Sequence, residues 1–168
     1  PNARLGRGLP ARGSVDAYRR HLVEVAGDAF VGRRIGIDCA NGSASLIAPD
    51  LFRSLGAEVT VLFDAPDGVN INEGSGSTHP ERLATTVAAA GLDLGFAFDG
   101  DADRLIAVDE RGELVDGDAI MGICALARLA GGTLRNNVLV TTVMSNGGLE
   151  RAITAAGGRM VRTPVGDR

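Results

Sequence analysis

Three carboxylates, Asp99, Asp101 and Asp103, alternate with small residues in the stretch Phe96-Ala-Phe-Asp-Gly-Asp-Ala-Asp-Arg-Leu-Ile-Ala-Val-Asp109. In an extended backbone residues two apart share a side, so the three groups can converge. Two carboxylates about 4 Å apart repel by roughly 4 kcal/mol at an effective dielectric near 20, and three such pairs by on the order of 10 kcal/mol. A proton, an arginine or a metal ion must hold such a loop together. Ligands that are all oxygen select a hard cation (magnesium, manganese or calcium) over zinc or copper, and the run reads as a metal site. Two other readings stand beside it. One is a solvated acidic turn, tight because Gly100 and Ala102 are small. The other is a calcium loop, with Glu110 in the twelfth place counted from Asp99. That loop type asks for glycine in the sixth place, where Arg104 stands, and Leu105 to Val108 reads as a strand.

Several residues could serve chemistry beside this run. Arg104 would neutralise the aspartates, and its fork could also grip a phosphate in bidentate fashion. The segment Asn70-Ile-Asn-Glu-Gly-Ser-Gly-Ser-Thr-His79, just before Pro80, is polar and glycine-rich. It is either an ordinary loop or a cradle of backbone N–H groups for a phosphate. His79 within it is an acid–base group or a structural contact at a helix start. Asp167-Arg168, after Thr163-Pro-Val-Gly166, reads as a turn presenting an arginine fork. Asp116 and Asp118 around Gly117 read as a turn and helix cap, with no chemistry assigned. Ser77 and His79 lack the nucleophile-elbow setting that would make a hydrolytic triad. All 17 basic residues are arginine, which excludes lysine Schiff-base or lysine general-base chemistry.

The elements around these residues follow from periodicity. Residues 1–13 lack it and read as an entry arm. Ser14 reads as the cap of a helix carrying Val15, Tyr18, Leu22 and Val25 at helical spacing up to Gly27. Strands are expected at Arg34 to Asp38 and Glu58 to Phe63, with a helix from Ala44 to Leu55 between them and Gly56 after it. Pro80 suits the start of a helix over Glu81 to Ala90. Leu92 to Phe98 is the strand that delivers the acidic loop, and Leu105 to Asp109 returns from it. Glu110-Arg-Gly112 turns into a short strand, Glu113 to Val115, and Asp118 to Leu129 is a helix. This order predicts an α/β three-layer sandwich, a mixed sheet flanked by helices over residues 14–131. Residues 138–162 echo residues 34–61 as strand, Asn-Gly turn, helix, glycine, strand. Residues 132–168 therefore read as the first βαβ part of a second, similar domain, joined through Gly131-Gly132-Thr133. The acidic loop then lies at the strand C-terminal edge, where ligands of open α/β sheets gather, and metal, arginine and a Gly/Ser loop together point to phosphate chemistry.

Composition bounds the rest. With 168 residues, 45% hydrophobic and 23% charged, the chain can bury one good core and part of another. A net charge of −4 argues against nucleic acid as a partner. No apolar run reaches transmembrane length and no signal-peptide pattern opens the chain, so no membrane partner is expected. Cys39 and Cys124 read as buried free thiols, which suits the reducing cytoplasm. Pro1 in place of methionine reads as a piece of a longer polypeptide. The cut-short second unit leaves apolar surface that a second copy would cover, so a homodimer is among the expected partners.

The chain resembles the α-D-phosphohexomutase superfamily and, within it, the glucosamine branch. The match is carried by Asn70-Ile-Asn72, Gly76-Ser-Thr-His-Pro-Glu81, Asp99-Gly-Asp-Ala-Asp-Arg104, Val115-Asp-Gly-Asp118, Met144-Ser-Asn146, Gly148-Leu-Glu150 and Val165-Gly-Asp-Arg168, in family order. One departure is Ser75, where that branch has cysteine. The resemblance implies four domains, of which this chain holds the second and the start of the third. It implies interconversion of glucosamine 6-phosphate and glucosamine 1-phosphate through a bisphosphorylated sugar, with a phosphoserine of the first domain as phosphoryl donor. Asp99, Asp101 and Asp103 would hold Mg²⁺, Arg104 would stabilise transferring charge, and Arg168, with Asp167 and His79, would line the phosphosugar cleft. Without the serine loop, this chain is expected to be inactive alone and to bind Mg²⁺ weakly.

Overall fold

The computed structural model describes residues 13–166. Along the chain lie α1 (Ser14–Ala26), β1 (Arg34–Asp38), α2 (Ala48–Ser54), β2 (Glu58–Leu62), α3 (Glu81–Ala90), β3 (Leu94–Phe98), β4 (Leu105–Asp109), β5 (Leu114–Val115), α4 (Gly117–Ala130), β6 (Val138–Thr142), α5 (Gly147–Ala155) and β7 (Arg159–Thr163). The first five strands form one sheet in the order β2-β1-β3-β4-β5. β1 is parallel to β2 and β3, whereas β4 and β5 run antiparallel. β6 and β7 pair in parallel as a separate sheet. The mixed sheet flanked by helices and the βαβ unit after it agree with the sequence.

Strand alternation decides what each helix meets. On one side, Ile35 and Ile37 are fully buried with Ala48 and Ala57. Phe96 adds a ring cluster there, 5.6 Å from Phe52 and 6.2 Å from Phe30 between centroids. On the other side, Leu83 and Val87 of α3 are fully buried against Ala97 and Val108. Gly36 and Gly95 are direct partners across β1 and β3 on this side. A methyl group at Gly36 would stand 2.8 Å from Leu83 Cδ1, and one at Gly95 would stand 2.8 Å from Val87 Cγ2. The pair of bare backbones is what lets α3 settle onto the sheet.

Four local expectations differ from the structure. The helix expected from Ala44 to Leu55 is a 3-10 turn, Ser43–Leu46, followed by α2, with Pro49 in the opening turn of α2. Proline has no amide to donate back to the preceding turn, so the helix restarts there. α1 is entered through Gly13 at φ 83 rather than through a Ser14 cap, and none of its residues is buried. Cys39 is buried, but Cys124 is exposed, because it lies on α4 next to the outward-facing Ile123. Burial pushes the Cys39 thiol up to about 12, with the charges of Asp64 and Asp38 adding to it, so it stays protonated. Finally, Ala125 of α4 packs with Leu149 and Ile153 of α5, so this helix shares its core with the β6-α5-β7 unit. Residues 1–12 of the expected entry arm lie outside the described residues. No helix among the described residues is long and apolar enough to cross a membrane.

The glycine pair under α3 gives a test of this packing. Gly95→Val should destabilise the protein by about 1–3 kcal/mol through overpacking, read as a lower midpoint in thermal unfolding. An unchanged midpoint would show that α3 does not press on the sheet as described.

Candidate metal centre

The acidic loop leaves the C-terminal end of β3 between two other loops from the same edge of the sheet. The first follows β1, where Ala40 and Asn41 both take left-handed backbone (φ 52 and 48) and turn the chain sharply. It then runs against the acidic loop: Ser43 N donates to Gly100 O at 2.9 Å, and a methyl group at Gly42 would stand 2.3 Å from the same oxygen. The second loop lies on the other flank. Gly76, at φ +73, passes so close that an added methyl would be 2.3 Å from Phe98 O, and one at Gly100 would meet Ile71 and Asn72. Asn72 N donates to Ala40 O at 2.9 Å and ties the two flanking loops together. Asn41 adds a second tie: its Oδ1 accepts from Ala65 N at 3.2 Å and its Nδ2 donates to Asn70 O at 3.4 Å.

Within this frame Asp99, Asp101 and Asp103 converge, each offering one carboxylate oxygen within 4.8 Å of the others. The cause is a turn, not the extended run read from the sequence. Ala102 adopts φ 62 and its N–H donates to Asp99 O at 3.0 Å, which folds the loop back. Asp99 is buried at 2% exposure, whereas Asp101 and Asp103 are exposed. Arg104 holds Asp99 twice, through its backbone N to Oδ1 at 3.0 Å and through Nε to Oδ2 at 2.8 Å. Nε also lies 3.5 Å from Asp103 Oδ1.

The charges respond to this arrangement. Burial raises the Asp99 carboxyl, but the hydrogen bonds from Arg104 outweigh it and hold the group below its ordinary value of 3.8. Its contribution to stability is therefore present above 3.8 and lost as pH falls through the lower folded value. Asp103 moves the other way, pushed up first by the neighbouring charge of Asp101. The turn thus carries one firmly ionised carboxylate and two that repel each other.

The donor set fits a hard divalent cation. Three carboxylate oxygens on one turn supply the one-sided oxygen shell that Mg²⁺ takes, leaving its other positions for water or phosphate. Each Asp99 oxygen accepts one hydrogen bond and retains a further lone pair. Glu110 is not part of this group. The strand β4 separates it from the loop by roughly 17 Å, and it stands beside Arg111 at 3.8 Å. His79 is exposed at the end of the 3-10 turn Gly76–Thr78. Amides of its loop are turned inward onto Asp38 and Ala40. Asp167 and Arg168 lie outside the described residues. Asp116 caps α4 by accepting from Ala119 N at 2.8 Å, and Asp118 accepts from Asn146 N at 2.9 Å, so both are structural.

One residue escaped the sequence reading. Asp38, the last residue of β1, is completely buried. Its carboxylate accepts from Ala40 N and Gly76 N, both at 2.9 Å. Burial pushes it above 3.8, and those two backbone hydrogen bonds pull in the opposite direction. The signal available was an acid closing an otherwise apolar strand just before an Asn-Gly turn.

Comparison with known proteins bears on this edge of the sheet. The sequence model described as phosphoglucomutase/phosphomannomutase, alpha/beta/alpha domain II, matches residues 16–112, and that of domain III matches residues 116–168. The phosphoglucosamine mutase of Symbiobacterium thermophilum is 57% identical over 166 residues, 99% of this chain and 37% of that protein. That of Moorella thermoacetica is 52% identical over 98% of this chain and 37% of its own length. The chain thus spans little more than a third of these relatives. A crystal structure of a phosphoglucomutase/phosphomannomutase family protein from Burkholderia thailandensis superimposes with a TM-score of 0.74 at 30% identity, over 90% of this chain and 33% of that one.

Ser75, beside the Gly76 contact, is fully buried and its hydroxyl finds no hydrogen-bond partner among the described residues. Leaving such a group unsatisfied costs about 1–3 kcal/mol, whereas a thiol behaves as a small apolar group. Ser75→Cys should stabilise the chain by about 1 kcal/mol, measured by denaturant unfolding. A loss of stability would mean that the hydroxyl is satisfied after all.

Proposed function

The chain belongs to the phosphoglucomutase/phosphomannomutase family, and on that premise we propose that it is the metal-carrying portion of a phosphoglucosamine mutase. The parent enzyme would interconvert glucosamine 6-phosphate and glucosamine 1-phosphate through a bisphosphorylated sugar, in the cytoplasmic supply of amino sugars for cell-wall precursors. The observation that carries this reading is the convergence of Asp99, Asp101 and Asp103 on one turn at the C-terminal edge of the sheet. The choice of glucosamine over other hexoses is supported by the identity to the two phosphoglucosamine mutases, 57% and 52%.

The three aspartates would hold Mg²⁺ by one oxygen each, and the bound ion would supply fixed positive charge next to a transferring phosphoryl group. Arg104 has two tasks. Its Nε keeps Asp99 ionised and in place. Its side chain is otherwise 69% exposed, so the rest of the guanidinium fork is open to a phosphoryl oxygen. Rigid placement matters because catalysis of phosphoryl transfer is largely positioning and electrostatics, and charges already oriented need no reorganisation during the step. The phosphoserine that donates and recovers the phosphoryl group would belong to a part of the parent outside this chain. Arg168, Asp167 and His79 would face the phosphosugar, and this chain by itself would be inactive. The exposed apolar residues Val140 and Val143 at β6 would be covered by the rest of the parent or by a second copy.

The test is kinetic, on the intact parent. It should turn over glucosamine phosphates in preference to mannose or glucose phosphates, and Asp101→Asn should lower kcat by about 10²-fold with the fold unchanged. A preference for mannose phosphates would move the protein to another branch of the family. Full activity of Asp101→Asn would remove the Asp101 carboxylate from the reaction.

A further inference from the structure

Asp38 is a buried acid that the proposed chemistry does not use. It has no cationic partner among the described residues, and a buried charge in that position is retained at a cost unless hydrogen bonds offset it. The offset comes from two backbone amides belonging to different loops. Oδ1 takes Ala40 N, two residues on in the turn that follows β1, and Oδ2 takes Gly76 N, 38 residues away. These are the two loops that enclose the acidic turn. The Ala40 side leads to Gly42 and Ser43 against Gly100, and the Gly76 side lies against Phe98 O. One carboxylate therefore joins both walls of the slot from which Asp99 to Asp103 emerge.

We propose that Asp38 is a positioning residue for the acidic turn, setting the separation of Asp99, Asp101 and Asp103, and so their affinity for a hard divalent cation, without touching the ion. This rests on the reading of those aspartates as metal ligands. A monodentate turn acceptor at position 38 would hold Ala40 N alone. Only a two-oxygen group at this depth can also reach Gly76 N, and asparagine would present an NH₂ to one of the two donors.

The two links can be separated by substitution. Asp38→Asn disturbs one of the two amide contacts with little change of shape. Asp38→Ser keeps the local turn, since a serine hydroxyl accepts from the amide two residues on, and releases Gly76. Mn²⁺ binding to the full chain, followed by electron paramagnetic resonance well below the melting temperature, is the readout. Both variants should bind Mn²⁺ about 10- to 100-fold more weakly than the native sequence, the range for residues that orient metal ligands. Val87→Ala on α3, which lowers stability through a cavity, should bind Mn²⁺ as the native chain does. If Asp38→Asn does not fold, Asp38→Ser decides the matter. Native affinity in a folded Asp38 variant would overturn the inference while leaving the metal reading intact. No Mn²⁺ binding by the native chain, or native binding by Asp101→Asn, would instead overturn the metal reading and this inference with it.

Discussion

Arg104 grips Asp99 from two directions, with its main chain and with its side chain, and the acidic turn depends on that grip. Asp99 sits at 2% exposure, so without those donors its charge would be held in a poorly solvated place beside two more carboxylates. With them, one of the three acids is fixed and ionised before any ligand arrives. Asp101 and Asp103 remain exposed and repel each other, and the turn is left with a deficit of positive charge on its solvent side. A hard cation relieves that deficit better than a proton does, because it serves all three groups at once.

The sheet's task is to bring backbone close to backbone around this turn. Three glycines make this possible: Gly42 lies against the Gly100 backbone and Gly76 against Phe98 O too closely for any side chain, and the bare Gly100 leaves room for the Ile71 and Asn72 side chains. Each lies in a different loop, and all three loops leave the same edge of the parallel strands β1, β2 and β3. Behind them, the facing glycines 36 and 95 let α3 seat on the strands that aim the loops. Strands, short approaches and one buried acid hydrogen-bonded to two loops hold the acidic turn in a frame built by the chain itself, as the proposed electrostatic role would require.

The strands and the helix α3 were legible because their patterns were unambiguous: Arg34 to Asp38 and Leu105 to Asp109 are apolar runs of strand length, and Pro80 marks the start of α3. The convergence of the aspartates was legible too, but for another reason than alternation. A left-handed residue at Ala102 bends the loop, and nothing in the residue type announces it. Helical spacing in α1 reported a face that could be buried, and Val15, Tyr18 and Val25 are each more than half exposed. Periodicity describes what a helix offers and not what covers it. Asp38 was hidden for a related reason: its partners are main-chain amides, one of them 38 residues distant, and backbone partners leave no mark in side-chain spacing. The exposure of Cys124 belongs to the same class, since α4 is apolar nearly all round and its outward side depends on where α5 docks.

The proposed chemistry requires a cation shared by positions 99, 101 and 103. Diffraction from crystals of this chain soaked in Mn²⁺, with anomalous differences collected, addresses that directly. A single strong peak within bonding distance of an oxygen from each of the three carboxylates, with Arg104 still on Asp99, is the predicted result. Anomalous density elsewhere, or the three carboxylates turned apart with no peak between them, would contradict it.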